Sequence, residues 1–172
     1  MDNNDSHKPN ERLEGAYHAM MQRVQEALSR ADDGVDTLNQ ALRHARDTAV
    51  NLGELSREEA ARVSDWVQRD MQDAGSYLAR TGHELRDWLH MDLELIEYSL
   101  LDLLTSVADK TRLEMLQFEE DLSHQGEYHS GEIAGPGTLE CRECGEQLHF
   151  KQAGHIPPCP RCHGTSFGRK SR

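Results

Sequence analysis

Cys141-Arg142-Glu143-Cys144-Gly145 and Cys159-Pro160-Arg161-Cys162-His163-Gly164 hold all four cysteines of a 172-residue chain. Each is a Cys-x-x-Cys turn, and fourteen residues lie between the pairs. A turn of this length lets two thiolates point at one ion from a single loop. Two such turns brought together by a hairpin complete a tetrahedral sulfur cage. That donor set suits one structural zinc ion, with Cys141, Cys144, Cys159 and Cys162 as ligands. Iron in a rubredoxin-like cage uses the same paired turns; the short loop between the pairs favours zinc. Four thiolates fill the shell, and catalytic zinc keeps a position open, so the cage reads as structural rather than catalytic. The spacing therefore predicts a small β module over 138–168. Thr138-Leu139-Glu140 leads in as a strand, Gln147-Leu148-His149-Phe150 supplies a hairpin, and Thr165-Ser166-Phe167 closes it. Ile156-Pro157-Pro158 turns the chain into the second knuckle, because proline fixes φ and lacks a donor. Replacing Cys144 or Cys162 with Ser is expected to unfold 138–168 and leave the preceding helices standing.

Upstream of the module, residues 124–137 carry four glycines and a proline. They read as a Gly-rich linker. Downstream, Arg169, Lys170 and Arg172 read as a short basic tail, 169–172, that aids solubility. Residues 1–10 read as a disordered polar leader, and 11–123 as helical. Leu13, Tyr17, Met20, Val24, Ala27 and Ala31 recur at spacings of four and three. The rhythm resumes at Val35, Leu38, Leu42, Ala45, Ala49 and Leu52. Alternating threes and fours mark a coiled-coil-type seam. Asp32-Asp33-Gly34 interrupts it, and the resumption favours one long helix kinked near Gly34 over a hairpin. Ser56 with Glu59 forms a capping box that opens a helix to about Arg80, lined by Ala60, Val63, Val67, Met71, Ala74 and Leu78. The third pattern is the richest: Leu85, Leu89, Leu93, Ile96, Leu100, Leu103 and Val107, widened by Trp88, Leu95, Leu101 and Leu104. It runs on through Leu113, Leu116, Phe118 and Leu122. A continuous helix over 83–122 would be roughly 60 Å long. The fold class is thus mainly α: an elongated helical bundle or coiled coil followed by a small C-terminal β zinc ribbon.

Hydrophobic residues make up 36% of the chain and aromatics 5%, which argues for narrow seams rather than one thick core. The net charge of −12 is uneven: residues 1–126 carry 26 acidic and 13 basic residues, and 127–172 carry 5 and 6. Non-specific nucleic-acid binding rests on a positive surface, so the chain as a whole is poorly suited to it. No apolar run approaches the roughly 18–20 residues that span a bilayer, and the N-terminus lacks the apolar core of a signal peptide. A cytoplasmic location, where thiols stay reduced and available for metal, is expected. His83, Asp87, His90 and Glu94 would share one helix face and could chelate a metal. A solvated face of i,i+4 pairs explains them more simply. There is no Gly-rich phosphate loop, nucleophile elbow or Ser-His-Asp set, so no enzyme activity is expected.

Asp109-Lys110-Thr111-Arg112-Leu113-Glu114, Asp121-Leu122-Ser123-His124, Tyr128-His129-Ser130-Gly131-Glu132 and Leu139-Glu140-Cys141 together resemble the YbeL-like family of bacterial zinc-ribbon proteins. The resemblance is close over 105–165 and collinear over the helices. It implies a helical N-terminal region, a C-terminal zinc ribbon with the four cysteines as ligands, and a gammaproteobacterial cytoplasmic protein. It implies little about activity, because the family has no assigned function. His163 stands where such a ribbon often has Gly. The resemblance also singles out Tyr128, His129, Ser130 and Glu132, either as a linker that fixes the ribbon's angle or as a partner-contact loop. The leading functional reading is a non-enzymatic interaction or regulatory protein that binds a protein partner, with the ribbon as docking element. Homo-oligomerisation through the helices is a further reading. The alternatives are a regulator of the transcription machinery or a nucleic-acid-binding ribbon protein, and a zinc-thiolate redox switch.

Overall fold

The computed structural model describes residues 7–30, 37–117 and 126–170. Among the described residues five helices come first: α1 (His7–Arg30), α2 (Leu38–Asn51), α3 (Arg57–Thr81), α4 (Leu85–Leu89) and α5 (Tyr98–Gln117). Six short strands follow: β1 (Tyr128–His129), β2 (Ile133–Ala134), β3 (Gly137–Cys141), β4 (Gln147–Phe150), β5 (Gly154–His155) and β6 (Ser166–Arg169). The chain is mainly helical and ends in a small antiparallel sheet, as the residue patterns require. Residues 1–6 of the expected leader lie outside the described residues, and His7–Asn10 belong to α1.

The helices do not extend as long coiled-coil rods. Where one kinked helix over 11–52 was expected, α1 and α2 are separate and pack against each other. Residues 31–36, which include the expected kink at Gly34, lie outside the described residues. The new start is built at Thr37, whose hydroxyl takes the Gln40 amide while the Gln40 side chain takes the Thr37 amide. This capping box satisfies two orphan donors and makes a second helix cheaper than a continuous one. Folding back also lets both seams cover each other: Tyr17, Met20, Val24 and Leu28 are buried, as are Leu38, Leu42, Ala45 and Ala49. The Ser56–Glu59 capping box opens α3 as expected, and Gly82, at φ 67°, closes it.

The expected helix over 83–122 is broken instead. After α4 the chain turns at His90 (φ 49°, ψ 40°), makes one 3-10 turn at Leu93–Leu95, and starts α5 at Tyr98. Two causes are visible. The Thr138 hydroxyl donates to the His90 carbonyl at 2.9 Å, which fixes the carbonyl a continuing helix would use. The Asp92 carboxylate then accepts from the Glu94 amide at 3.0 Å and caps the next turn. The break lets Leu85, Trp88 and Leu89 pack inward while Ile96, Leu100, Leu103, Leu104 and Val107 reach the main core with α3. A single 60 Å helix would leave much of this stripe in water, at about 1.5–3 kcal/mol per large side chain. The stripe is covered within the chain, whereas Leu95, Leu113 and Leu116 are exposed; Phe118 and Leu122 lie outside the described residues. Gly75 sits at a close approach of α3 to α5, where an added Cβ would meet the Thr111 methyl at 2.8 Å.

The stretch expected as a linker is part of the sheet. β1 pairs with β6, which pairs with β3, which pairs with β4, giving the order β1-β6-β3-β4; β2 pairs with β5. Tyr128, Ala134, Leu139, Cys141, Ile156, Cys159 and Phe167 form the ribbon's own small core. Ile133 and Ala153 leave it and join the helical core. Gly126, Gly135 and Gly137 are explained by close approach, since an added Cβ would meet neighbouring side chains at 2.7, 2.6 and 2.5 Å, and Gly131 by its positive φ of 94°.

Candidate metal centre and the seam beneath it

The two cysteine knuckles are copies of one backbone device. In the first, the Cys141 amide donates to the Glu146 carbonyl at 2.8 Å and the Gly145 amide to the Cys141 carbonyl at 2.9 Å. In the second, the Cys159 amide donates to the Gly164 carbonyl at 2.8 Å and the His163 amide to the Cys159 carbonyl at 2.9 Å. Both turns need a left-handed residue just after the second cysteine. Gly145 supplies it at φ 75°, and His163 supplies it at φ 63°. The difference noted in the sequence is thus a histidine held in the conformation that glycine adopts at least cost.

The four sulfur atoms all lie within 4.8 Å of one another. Cys141 Sγ is 3.6 Å from Cys162 Sγ, and Cys144 Sγ is 3.5 Å from Cys159 Sγ. A disulfide would bring sulfurs to about 2.05 Å. A tetrahedral ion with Zn–S bonds of about 2.3 Å holds them about 3.8 Å apart. The arrangement fits the second case and is close to cage geometry. Cys141 and Cys159 are buried, and Cys144 and Cys162 are half-buried. The Gly164 amide donates to Cys162 Sγ at 3.4 Å, which disperses thiolate charge. As free thiols the four groups are unequal. Burial pushes Cys159 up, but the Cys162 and Arg161 amides outweigh it and hold the thiol near 7. At Cys162 the Gly164 amide lowers the value, yet the neighbouring thiols of Cys144 and Cys141 push it up to about 12. An ion that takes all four as thiolates removes this conflict. The donor set is soft and closed, so a metal here would be held by four sulfurs and would organise the knuckles.

Beneath the cage lies an ionic seam that joins sheet to helices. Its centre is Asp70, in the middle of α3 and wholly buried. Asp70 accepts from the Tyr17 hydroxyl at 2.5 Å, the Gly135 amide at 2.7 Å and Arg69 Nε at 3.1 Å, and lies 3.6 Å from Arg169. Burial alone would raise its carboxyl, but Arg69 and Arg169, with the Tyr17 and Gly135 donors, hold it below the usual range. Arg169 is the expected solubilising tail residue, yet its side chain is 5% exposed. It stacks on Trp88 at 4.5 Å and donates to the Tyr128 hydroxyl and to the carbonyls of Gly135 and Pro136. Lys170 follows it at the edge of the seam, and 171–172 lie outside the described residues. One turn after Asp70, Asp73 accepts from the Gly126 amide at 2.6 Å and the Tyr128 hydroxyl at 2.8 Å.

The candidate partner-contact residues divide between inside and outside. Tyr128 is wholly buried, with Arg69 stacked 3.9 Å from its ring centre. Glu132 accepts from Arg69 Nη1 at 2.5 Å and from the His129 amide at 3.1 Å. Ser130 donates to the Pro157 carbonyl at 3.1 Å, and His129 is exposed. Of the second metal constellation, His83 and Asp87 stand 3.5 Å apart, but the break at His90 removes the common helix face. Among the described residues only the cysteines bring three or more potential ligands together. Sequence reasoning missed Asp70, Asp73, Arg69 and Arg169. The available signal was two aspartates at i and i+3 on the seam side of α3, beside Val67, Met71 and Ala74.

The comparisons agree with this architecture. A family model described as "Zinc-ribbon containing domain" matches residues 18–171. The chain belongs to this zinc-ribbon family. Its relatives in it include "Uncharacterized protein YbeL" of Escherichia coli strain K12 and the protein of the same name from Escherichia coli O6:H1. Each is 30% identical over 154 residues, covering 90% of this chain and 93% of the relative. No solved structure matches. The family match begins inside α1 and ends past β6, so it covers helices and ribbon as one stretch, and this family has no assigned function.

Proposed function

We propose that the protein is a non-enzymatic interaction module in which one structural zinc ion fixes a ribbon rigidly against a helical body for docking on a protein partner. The observation that carries this is the closed four-sulfur cluster standing on a buried ionic seam. Four thiolates leave no position for substrate, and the knuckle amides quiet their charge. The seam removes the freedom a tethered ribbon would have, so its outer face is presented at a set angle to the helices. A pre-set binding surface loses less freedom on docking. His129 on β1 and the knuckle residues Glu143 and Arg161 are exposed and available for such docking. Four unpaired cysteines also suit a reducing compartment, which supports the cytoplasm; among the described residues no helix is long and apolar enough to cross a membrane.

Metal analysis of the purified chain should find one zinc per molecule. Capture from a lysate, with and without nuclease, should recover a protein that survives nuclease and is lost with His129→Ala/Arg161→Ala. Recovery that disappears with nuclease would overturn the protein-partner reading. Zinc released by low peroxide, with thiols that react readily, would overturn the structural role of the cage.

A further inference from the structure

We infer that the recess between α3, α4 and the first knuckle is a binding site for a small phosphomonoester with a compact organic body. The recess has a volume of about 260 Å³. Besides Arg169, which is paired with Asp70 in the seam, three cations reach it from three places in the chain: Arg80 in the last turn of α3, Arg142 in the first knuckle, and Lys170 just after β6. None of the three makes an ion pair among the described residues, and Glu140 is the one lining carboxylate besides Asp73. Asp73 is already engaged by Gly126 and Tyr128. The lining therefore carries surplus positive charge in a chain whose net charge is −12. An acidic protein does not gather unpaired cations in a concavity through average composition.

The cations are also placed for planar recognition. Arg142 lies across β6, with Nε directed at the Phe167 carbonyl at 3.4 Å. The bare backbone of Gly168 lets its guanidinium approach, since a Cβ there would stand 3.3 Å from Nη2. One edge of the fork is thus anchored and the other is left for a ligand. Two guanidinium forks and one ammonium match a dianionic phosphate better than a carboxylate. Tyr77 and Trp88 form the apolar part of the wall, where the organic body would rest. The volume limits that body to about one ring, since larger ligands occupy pockets of roughly 300–1,000 Å³.

Calorimetric titration of the full zinc-loaded chain with phenyl phosphate, phenol and inorganic phosphate tests the site. Phenyl phosphate should bind saturably and more tightly than either fragment. Arg80→Gln/Arg142→Gln should weaken it at least tenfold, while Lys151→Gln, outside the recess, should not. Lys170→Gln provides a second variant should the double one lose helical circular dichroism or zinc. The absence of saturable binding, equal binding of inorganic phosphate, or unchanged affinity in both recess variants would overturn the proposal.

Discussion

At the scale of single residues, the most consequential side chain is Asp70. It is a buried carboxylate whose acceptor capacity is taken by Tyr17, Gly135 and Arg69, with Arg169 nearby. Removing one partner from a buried charged network is costly because the others stay buried without it. Asp70→Asn should cost about 3–5 kcal/mol in denaturant unfolding, and Tyr17→Phe about 1–3 kcal/mol. Gly135 belongs to the same joint. A Cβ there would meet the Tyr17 hydroxyl at 2.6 Å, so Gly135→Ala should destabilise although it fills no sterically open space. His163 gives the opposite sign. Its left-handed backbone is one that glycine adopts freely, so His163→Gly should stabilise the ribbon by about 1 kcal/mol, read as a raised melting temperature. Of these positions, the sequence marks Tyr17 only as a seam residue, Arg169 only as part of a basic tail, and His163 as a departure from glycine. The roles of Asp70 and Arg169 were not read there, because an aspartate in a helix and an arginine near a terminus look solvated until their partners from distant segments are known.

At the scale of elements, local signals were readable and tertiary ones were not. Ser56 and Glu59 announce α3 because the capping box is complete within four residues. Thr37 and Gln40 carry the same signal for α2, masked by a seam that appeared to continue. Thr37→Ala should lower stability by about 1 kcal/mol in thermal melts. The turn at His90 has no glycine or proline of its own. It is set by the Asp92 cap together with Thr138, a residue of the ribbon that a reading of 83–122 alone does not contain. The same holds for the expected linker, where Gly126 and Gly135 read as flexible and instead admit side chains of α3. Gly126 is one such point, where a Cβ would meet Arg69 at 2.7 Å and Asp73 at 2.8 Å. The four cysteines were legible because metal-ligand spacing is itself a local signal.

The joint between α3 and the sheet should also show in pH dependence. Asp70 is held below its unfolded value, so its contribution is present above about pH 4 and is lost as pH falls through the folded value. Tyr17 and Tyr128 are both raised well above 10, chiefly by burial. Their contribution is present below about pH 10 and is lost as pH rises through the folded values. Asp73, raised by burial, works against stability as pH climbs past its unfolded value. Helical circular dichroism across pH should therefore show an acid limb reduced in Asp70→Asn and an alkaline limb reduced in Tyr17→Phe.

At the scale of the whole molecule, the ribbon and the helices act as one body. The cage holds β3 and the knuckles; β6 passes from Phe167, paired with Cys141, to Arg169 in the seam. Ile133 and Ala153 add apolar contact with the helical core. This changes the expectation, natural from sequence, that losing the cage would leave the helices standing. If the sheet lets go, Asp70 loses Arg169 and Gly135, and Asp73 loses Tyr128 and Gly126, while both stay in a helix packed on apolar neighbours. A structural zinc site supplies on the order of 10 kcal/mol to its own fold, and part of that should reach the bundle through the seam. The direct test is thermal unfolding of the helices, followed at 222 nm, for the zinc-loaded chain, the chelated chain and Cys144→Ser. The account predicts one cooperative transition in the loaded protein and a clearly lowered helical melting temperature in the other two. A helical transition unchanged by chelation and by Cys144→Ser would contradict it.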